Sequence, residues 1–212
     1  MKTNLTNPKE DLQAIREIME RSSKFLSLSG FSGIFAGLCA LIGTAIAWFV
    51  ILDSGQVQYD EYLCSIGASP VNNVSLSLGI DALLVLIIAT LGAVYFSFRK
   101  AQKAGHSLWS NSTRRLLAHL LIPLATGGAF AIILVLRNNI ELVTSATLIF
   151  YGLSLVSAGK FTLGEIHYLG LSEIVLGILA GIFVNLGLLF WVLGFGLMHI
   201  VYGIVMYYRY DR

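Results

Sequence analysis

The chain has 212 residues, of which 56% are hydrophobic and only 12% are charged, and its mean hydropathy is +0.77. Soluble domains carry about 25% charged residues, so this composition excludes an ordinary water-soluble fold and predicts a lipid bilayer as the surroundings. The net charge of +2 comes from basic residues at the ends of apolar segments, which gives no indication of nucleic-acid binding. Cys39 and Cys64 lack metal-ligand spacing, and we expect no metal and no cofactor.

The first 24 residues are polar and predict an amphipathic helix that begins at Pro8. Asn7 can cap this helix, Pro8 suits its first position, and apolar residues recur at helical spacing as far as Phe25. We expect it to lie on the cytoplasmic membrane surface and to lead into the first span. A plain extension of span one into water and a helix that binds a protein partner are the alternatives.

Six apolar segments follow, and a helical membrane crossing takes roughly 20 such residues. The segments lie at about 25–52, 74–98, 116–136, 141–157, 167–184 and 187–208, before a short cytoplasmic tail at 209–212. The loop at 53–73 is acidic and contains no lysine or arginine. The predicted fold class is therefore all-α, a polytopic membrane bundle of six helices.

Lysine and arginine predict the orientation of this bundle. Thirteen of the 14 lie in the N-terminal segment, the loops after spans two and four, or the tail, whereas Arg137 alone lies on the other side. By the positive-inside rule, both termini are then cytoplasmic. An even number of spans independently requires the termini to share one side.

Span one carries small residues at four-residue intervals, namely Ser29, Gly33 and Gly37. Small residues at this spacing let two helix backbones approach closely, which is how membrane helices associate without a hydrophobic driving force. We interpret these three residues as a helix-packing face and as a candidate interface between copies of the chain.

Four ionisable side chains fall inside the predicted spans: Asp81, His119, Glu173 and His199. Such groups are expensive in a bilayer, about 2.5–3.5 kcal/mol for an aspartate at mid-helix, so each needs a partner or a water-lined cavity. For Asp81, in the outer half of span two, the predicted partner is Ser75 or Ser77. The other three lie nearer the cytoplasmic side and could meet.

Glu173 and His199 belong to a predicted helical hairpin, 169–208, that turns near Asn185. They lie 12 and 14 positions from that turn, which places them at nearly equal depth, so we predict that they approach within hydrogen-bonding or one-water distance. A buried pair that fixes helix register and a proton or ion relay are both consistent with this pattern. A metal site formed with His119 lacks any motif spacing.

The segment Gly159–Glu165, with Tyr168–Gly170 close behind it, resembles small six-span bacterial inner-membrane proteins of no known activity. The glycine pattern is also similar to that of the six-span bacterial acid-resistance membrane proteins. This resemblance implies a multi-pass protein of the bacterial inner membrane. It transfers no functional residue.

The sequence has no serine nucleophile elbow, no phosphate-binding glycine loop and no zinc-protease helix, so we do not expect an enzyme. The leading hypothesis is an integral membrane protein that moves protons, ions or a small solute through a bundle with a Glu/His polar site. Because six spans are few for a transporter, we expect it to work as a homo-oligomer. The alternative is a non-transporting interaction, sensing or scaffold protein.

Overall fold

The computed structural model describes residues 28–52, 73–103, 111–137 and 139–211. Within these ranges the chain forms six helices that are long and apolar enough to cross a membrane, and it forms no strand. The helices are α1 (Gly30–Ile51), α2 (Asn73–Lys103), α3 (Asn111–Leu136), α4 (Ile140–Phe161), α5 (Glu165–Ile182) and α6 (Val184–Asp211). The predicted all-α bundle of six helices is confirmed, whereas the predicted surface helix and most of the acidic loop lie outside the described residues.

Several helices extend beyond the apolar segments. α2 continues to Lys103 and α3 begins at Asn111, because lysine and arginine are good helix formers and carry a helix past its apolar part. α6 continues to Asp211, where the sequence predicted a tail from Arg209. Its last turn is held in place by contacts with the start of α1.

The helices pack as an open series rather than a closed ring. α1 packs against α2 and α6, α4 packs against α3 and α5, and α6 also contacts α4 and α5. Among the described residues, α2 packs closely only on α1, and α3 only on α4. A gap therefore separates α2 from α3, with α1, α4 and α6 behind it.

Glycines join the helices in the middle of the series. A Cβ atom on Gly203 of α6 would meet the backbone of Gly30 and Ile34 in α1, the former at 2.7 Å. In the same way, a Cβ on Gly152 of α4 would lie 2.6 Å from the carbonyl oxygen of Gly170 in α5. Real Cβ atoms do not come this close to backbone atoms, so both interfaces require glycine.

The face predicted from Ser29, Gly33 and Gly37 packs helices, as expected, but within the chain. Gly33 lies against the backbone of Gly203, and a Cβ on Gly37 would meet the Gly196 carbonyl oxygen at 2.6 Å. α6 therefore occupies this face, and the interpretation of it as an interface between copies is corrected. The spacing of small residues shows that a helix packs there, but not which helix.

A charged cluster joins three helices at one end of the bundle, which we call the basic end because Lys100 and Arg209 lie there. The Asp211 carboxylate accepts hydrogen bonds from the Gly30 amide at 2.7 Å and the Ser29 hydroxyl at 3.0 Å. It also pairs with the Lys100 ammonium at 2.5 Å. A carboxylate at the first turn of α1 is stabilised by the helix dipole, so the end of α6 caps α1 and holds α2.

Candidate functional site

Glu173 and His199 face each other inside the bundle. The chain turns through Val184–Leu186, around Asn185, and the two side chains stand level on α5 and α6. Glu173 Oε1 lies 3.5 Å from His199 Nδ1. The prediction that they approach within one-water distance is confirmed. Glu173 has no exposed surface and His199 is 6% exposed.

The imidazole of His199 has partners on both ring nitrogens. Nδ1 lies 3.1 Å from the Gly194 carbonyl oxygen, and Nε2 lies 2.7 Å from the Tyr151 hydroxyl. Because a carbonyl can only accept, Nδ1 carries a proton, and in the neutral ring Nε2 then accepts from Tyr151. Tyr151, His199 and Glu173 thus form a continuous line of polar groups across α4, α6 and α5.

The Glu173 carboxyl is the unsatisfied member of this line. At 3.5 Å it lies beyond ordinary hydrogen-bonding distance from His199, whose Nδ1 proton points to the closer Gly194 oxygen. Neither carboxyl oxygen of Glu173 has a hydrogen-bond partner among the described residues. A buried polar group left in this state costs about 1–3 kcal/mol, which a functional role can justify.

Local backbone geometry makes room for that carboxyl. Residues Val192–Met198 of α6 form a π-helical segment, a rare conformation that occurs frequently at functional sites. Gly194 lies within it, and a Cβ there would be 2.5 Å from Glu173 Oε2. A larger residue at 194 would therefore displace the Glu173 carboxyl from its present position beside His199.

His119 does not join the site. Its side chain is exposed at the basic end, where Nδ1 lies 3.2 Å from the Ser157 hydroxyl and the ring packs 4.6 Å from that of Phe161. Its shallower position on α3 and these contacts with the end of α4 keep it away from Glu173. Within the described residues, no three His, Cys, Asp or Glu side chains are grouped so that they could hold a metal ion.

A cavity of about 350 Å³ reaches this site from the gap between α2 and α3. Tyr151 and His199 form part of its wall, whereas Glu173 lies behind them and does not. Phe195 and Trp191 continue the wall along α6, with ring centroids 4.7 Å apart. The rest of the lining is mostly apolar.

A second cavity of about 210 Å³ adjoins the first, toward the end of the bundle opposite the basic end. The two share Thr147 and Trp191 in their walls. Asp81 lies on the wall of the second cavity, where Thr44 and Thr144 add hydroxyl groups. Its predicted hydrogen bond to Ser75 or Ser77 stays a prediction.

Sequence reasoning missed Tyr151 and Gly194. The available signal for Tyr151 is a phenol hydroxyl in the middle of an apolar segment, because a buried hydroxyl needs a hydrogen-bond partner. Gly194 is one of 21 glycines in the chain. Its position beside the Glu173 carboxyl depends on a π-helical segment that the sequence pattern does not predict.

No family model matches the chain, and no curated protein or solved structure is found to be similar to it. Its function must therefore be argued from the site itself. What the site offers chemically is a cavity that ends on a tyrosine and a histidine, with a carboxyl group behind them. That arrangement can carry protons.

Proposed function

We propose that the chain is a multi-pass protein of a bacterial inner membrane, with both termini in the cytoplasm, and that it moves protons through Tyr151, His199 and Glu173. Six apolar helices support the membrane setting, and the lysines and arginines at the basic end support the orientation. The observation that carries the proposal is the line of polar groups that starts at the cavity wall with the Tyr151–His199 hydrogen bond and ends at the buried carboxyl of Glu173, 3.5 Å from the imidazole.

The relay works by changing the tautomer of His199. A proton that arrives at the Tyr151 hydroxyl from the cavity lets that hydroxyl pass its own proton to Nε2 of the imidazole. The ring then releases its Nδ1 proton to the Glu173 carboxylate, 3.5 Å away. One proton enters at tyrosine and one leaves at Nδ1, so the imidazole ends neutral. Histidine suits this role because both of its nitrogens exchange protons near neutral pH.

In this conformation the relay is open only toward the cavity. Glu173 is fully buried and lines neither cavity, so a proton on it has no route onward. Release therefore requires a movement of α5 relative to α6. Such one-sided access makes proton passage depend on that movement, and it lets the protonation of Glu173 be coupled to the movement of a small solute.

Proton flux into proteoliposomes tests this proposal directly. The wild-type protein should acidify the lumen when a pH gradient or a membrane potential is applied, as a pH-sensitive dye inside would report. Glu173→Gln should abolish this flux while the protein stays folded, because an amide keeps the shape but cannot take up the proton. Tyr151→Phe should reduce it, whereas Glu141→Gln, a matched change outside the cavity walls, should leave it unchanged.

A non-transporting interaction or scaffold function is the second candidate, and α2 is the observation that favours it. Within the part of the chain that the structure describes, this helix packs closely on α1 alone, and it presents large apolar side chains such as Leu91, which is 65% exposed. A second copy of the chain could cover that face. Wild-type vesicles without proton flux, or flux that survives in Glu173→Gln, would contradict the relay and favour this function.

A further inference from the structure

The two adjoining cavities form one pocket between α2 and α3. Their volumes of about 350 and 210 Å³ reach the range of pockets that enclose drug-sized molecules, about 300–1,000 Å³. Because α2 and α3 do not pack closely on each other, the pocket opens sideways through the gap between them. In a membrane that opening faces lipid, so the pocket admits molecules that partition into the bilayer.

The charge on the pocket wall has one sign. Asp81 lies in the wall of the smaller cavity, and no lysine or arginine contributes to either wall among the described residues. The part of the chain that connects α1 to α2, residues 53–72, contains no lysine or arginine. Arg137, which begins the connection from α3 to α4, is exposed and lies on neither wall. Among the described residues, no positive charge on the pocket wall complements Asp81.

Aromatic rings provide the second element of cation recognition. Trp191 belongs to both cavities, so its ring borders the passage between Asp81 and the deeper site. Phe195 follows it along α6, and Tyr151 stands opposite, with ring centroids 5.2 Å from Phe195. The face of an aromatic ring attracts a cation, most strongly for tryptophan and when water is excluded.

We infer that this pocket binds a lipophilic cation, a small molecule with one positive charge on an apolar body, with its charge near Asp81 and its body against Trp191 and Phe195. The inference rests on the proposed function, since it names the solute whose movement the Glu173 proton would drive. A two-chained phospholipid with a cationic head group is too large for the two cavities together. The ligand is therefore a small molecule that reaches the pocket from the bilayer.

Binding of tetraphenylphosphonium to the purified full-length protein in nanodiscs tests this inference, with tetraphenylborate as an anion of the same shape. The wild-type protein should bind the cation and not the anion. Asp81→Asn should weaken cation binding by roughly tenfold or more, because it removes the opposite charge from the pocket wall. Asp81→Glu should keep most of the affinity. Glu141→Gln, which removes an acidic side chain outside the pocket walls, should bind like the wild type.

Three results would overturn the inference: no binding of tetraphenylphosphonium, equal binding of the two ions, or equal affinity in the wild type and in a folded Asp81→Asn variant. The proposed function fails separately. Selective cation binding by a protein that passes no protons would leave the pocket assigned and remove the relay. Proton flux without selective cation binding would keep the relay and remove the assignment of the pocket. The two tests are independent, because Glu173→Gln alters the relay and leaves Asp81 intact.

Discussion

Glycines serve opposite purposes in two regions of the bundle. Where α1 meets α6 and α4 meets α5, glycines bring backbones into contact, and Gly203 has no room for a single added carbon. Beside the gap between α2 and α3, Gly79 and Gly128 have no atom within 4 Å of an added Cβ, and they line the two cavities. We call the tightly packed helices α1, α4, α5 and α6 the closed half, which holds the carboxyl of Glu173. The open half is the region around the gap between α2 and α3, which leaves space for a ligand.

The largest expected difference between the halves is in their tolerance of alanine. Gly203→Ala should lower the free energy of unfolding by about 1–3 kcal/mol, because the new methyl group overlaps backbone atoms of α1 that cannot rotate away. Gly128→Ala should leave it unchanged or raise it by up to about 1 kcal/mol, because the new methyl group meets no described atom and alanine favours a helix more than glycine does. Unfolding in mixed detergent micelles, followed by tryptophan fluorescence, measures both. Equal losses in the two variants would contradict the division into a closed and an open half.

A smaller effect is expected where the open half is tied to the closed one. Lys100 connects α2 to Asp211 and to the Leu28 carbonyl oxygen, the latter at 2.7 Å. Lys100→Met should cost about 1–2 kcal/mol, because Asp211 stays buried without its cation. Arg99→Met, at an exposed neighbouring position, is the matched control and should cost nothing measurable. A spin-label distance between α2 and α3 should broaden only in Lys100→Met, and an unchanged distance would show that α1 alone holds α2.

The smallest expected effect concerns Glu173, which is buried without a hydrogen bond to any residue that the structure describes. Glu173→Met should leave the free energy of unfolding unchanged or raise it by up to about 1 kcal/mol, because an apolar side chain of similar size has no polar atom to satisfy. Glu173→Ala should lose stability, since it leaves a cavity beside Leu148 and Gly194. The same unfolding assay decides the matter. A clear loss in Glu173→Met would mean that the pair with His199 fixes helix register instead of carrying protons.

The depth of a side chain in the bundle could be predicted from the sequence, but its direction around the helix could not. Apolar segments of sufficient length gave six helices, and the turn at Asn185 placed Glu173 and His199 level. The same arithmetic put His119 within reach of both, but its side chain points to Ser157 at the basic end. Rise per residue is nearly constant along a helix, whereas the direction of a side chain depends on which neighbour each helix packs against.

The sequence likewise did not predict which helices contact each other. The small residues of α1 indicated close packing, yet nothing in them specified α6 over a second copy of the chain. Asp211 belongs to what looked like a short polar tail, and its contact with Gly30 joins positions 181 residues apart. Tyr151 belongs to the site because α4 packs beside α5 and α6. The glycines at 152 and 170 allow the close packing of α4 on α5.

The π-helical segment makes the geometry of the site depend on the number of residues in α6. Trp191, Phe195 and His199 follow one another at intervals of four and form one column of rings, with Phe195 and His199 centroids 6.1 Å apart. A π-helical segment accommodates one residue more than the α-helix it replaces. Deleting a single residue between Trp191 and His199 would let this stretch return to an α-helix, and it would move Gly194, whose carbonyl oxygen contacts His199 and whose missing side chain leaves room for Glu173, out of its present position. In this stretch the number of residues is as strict a requirement as the glycine at position 194.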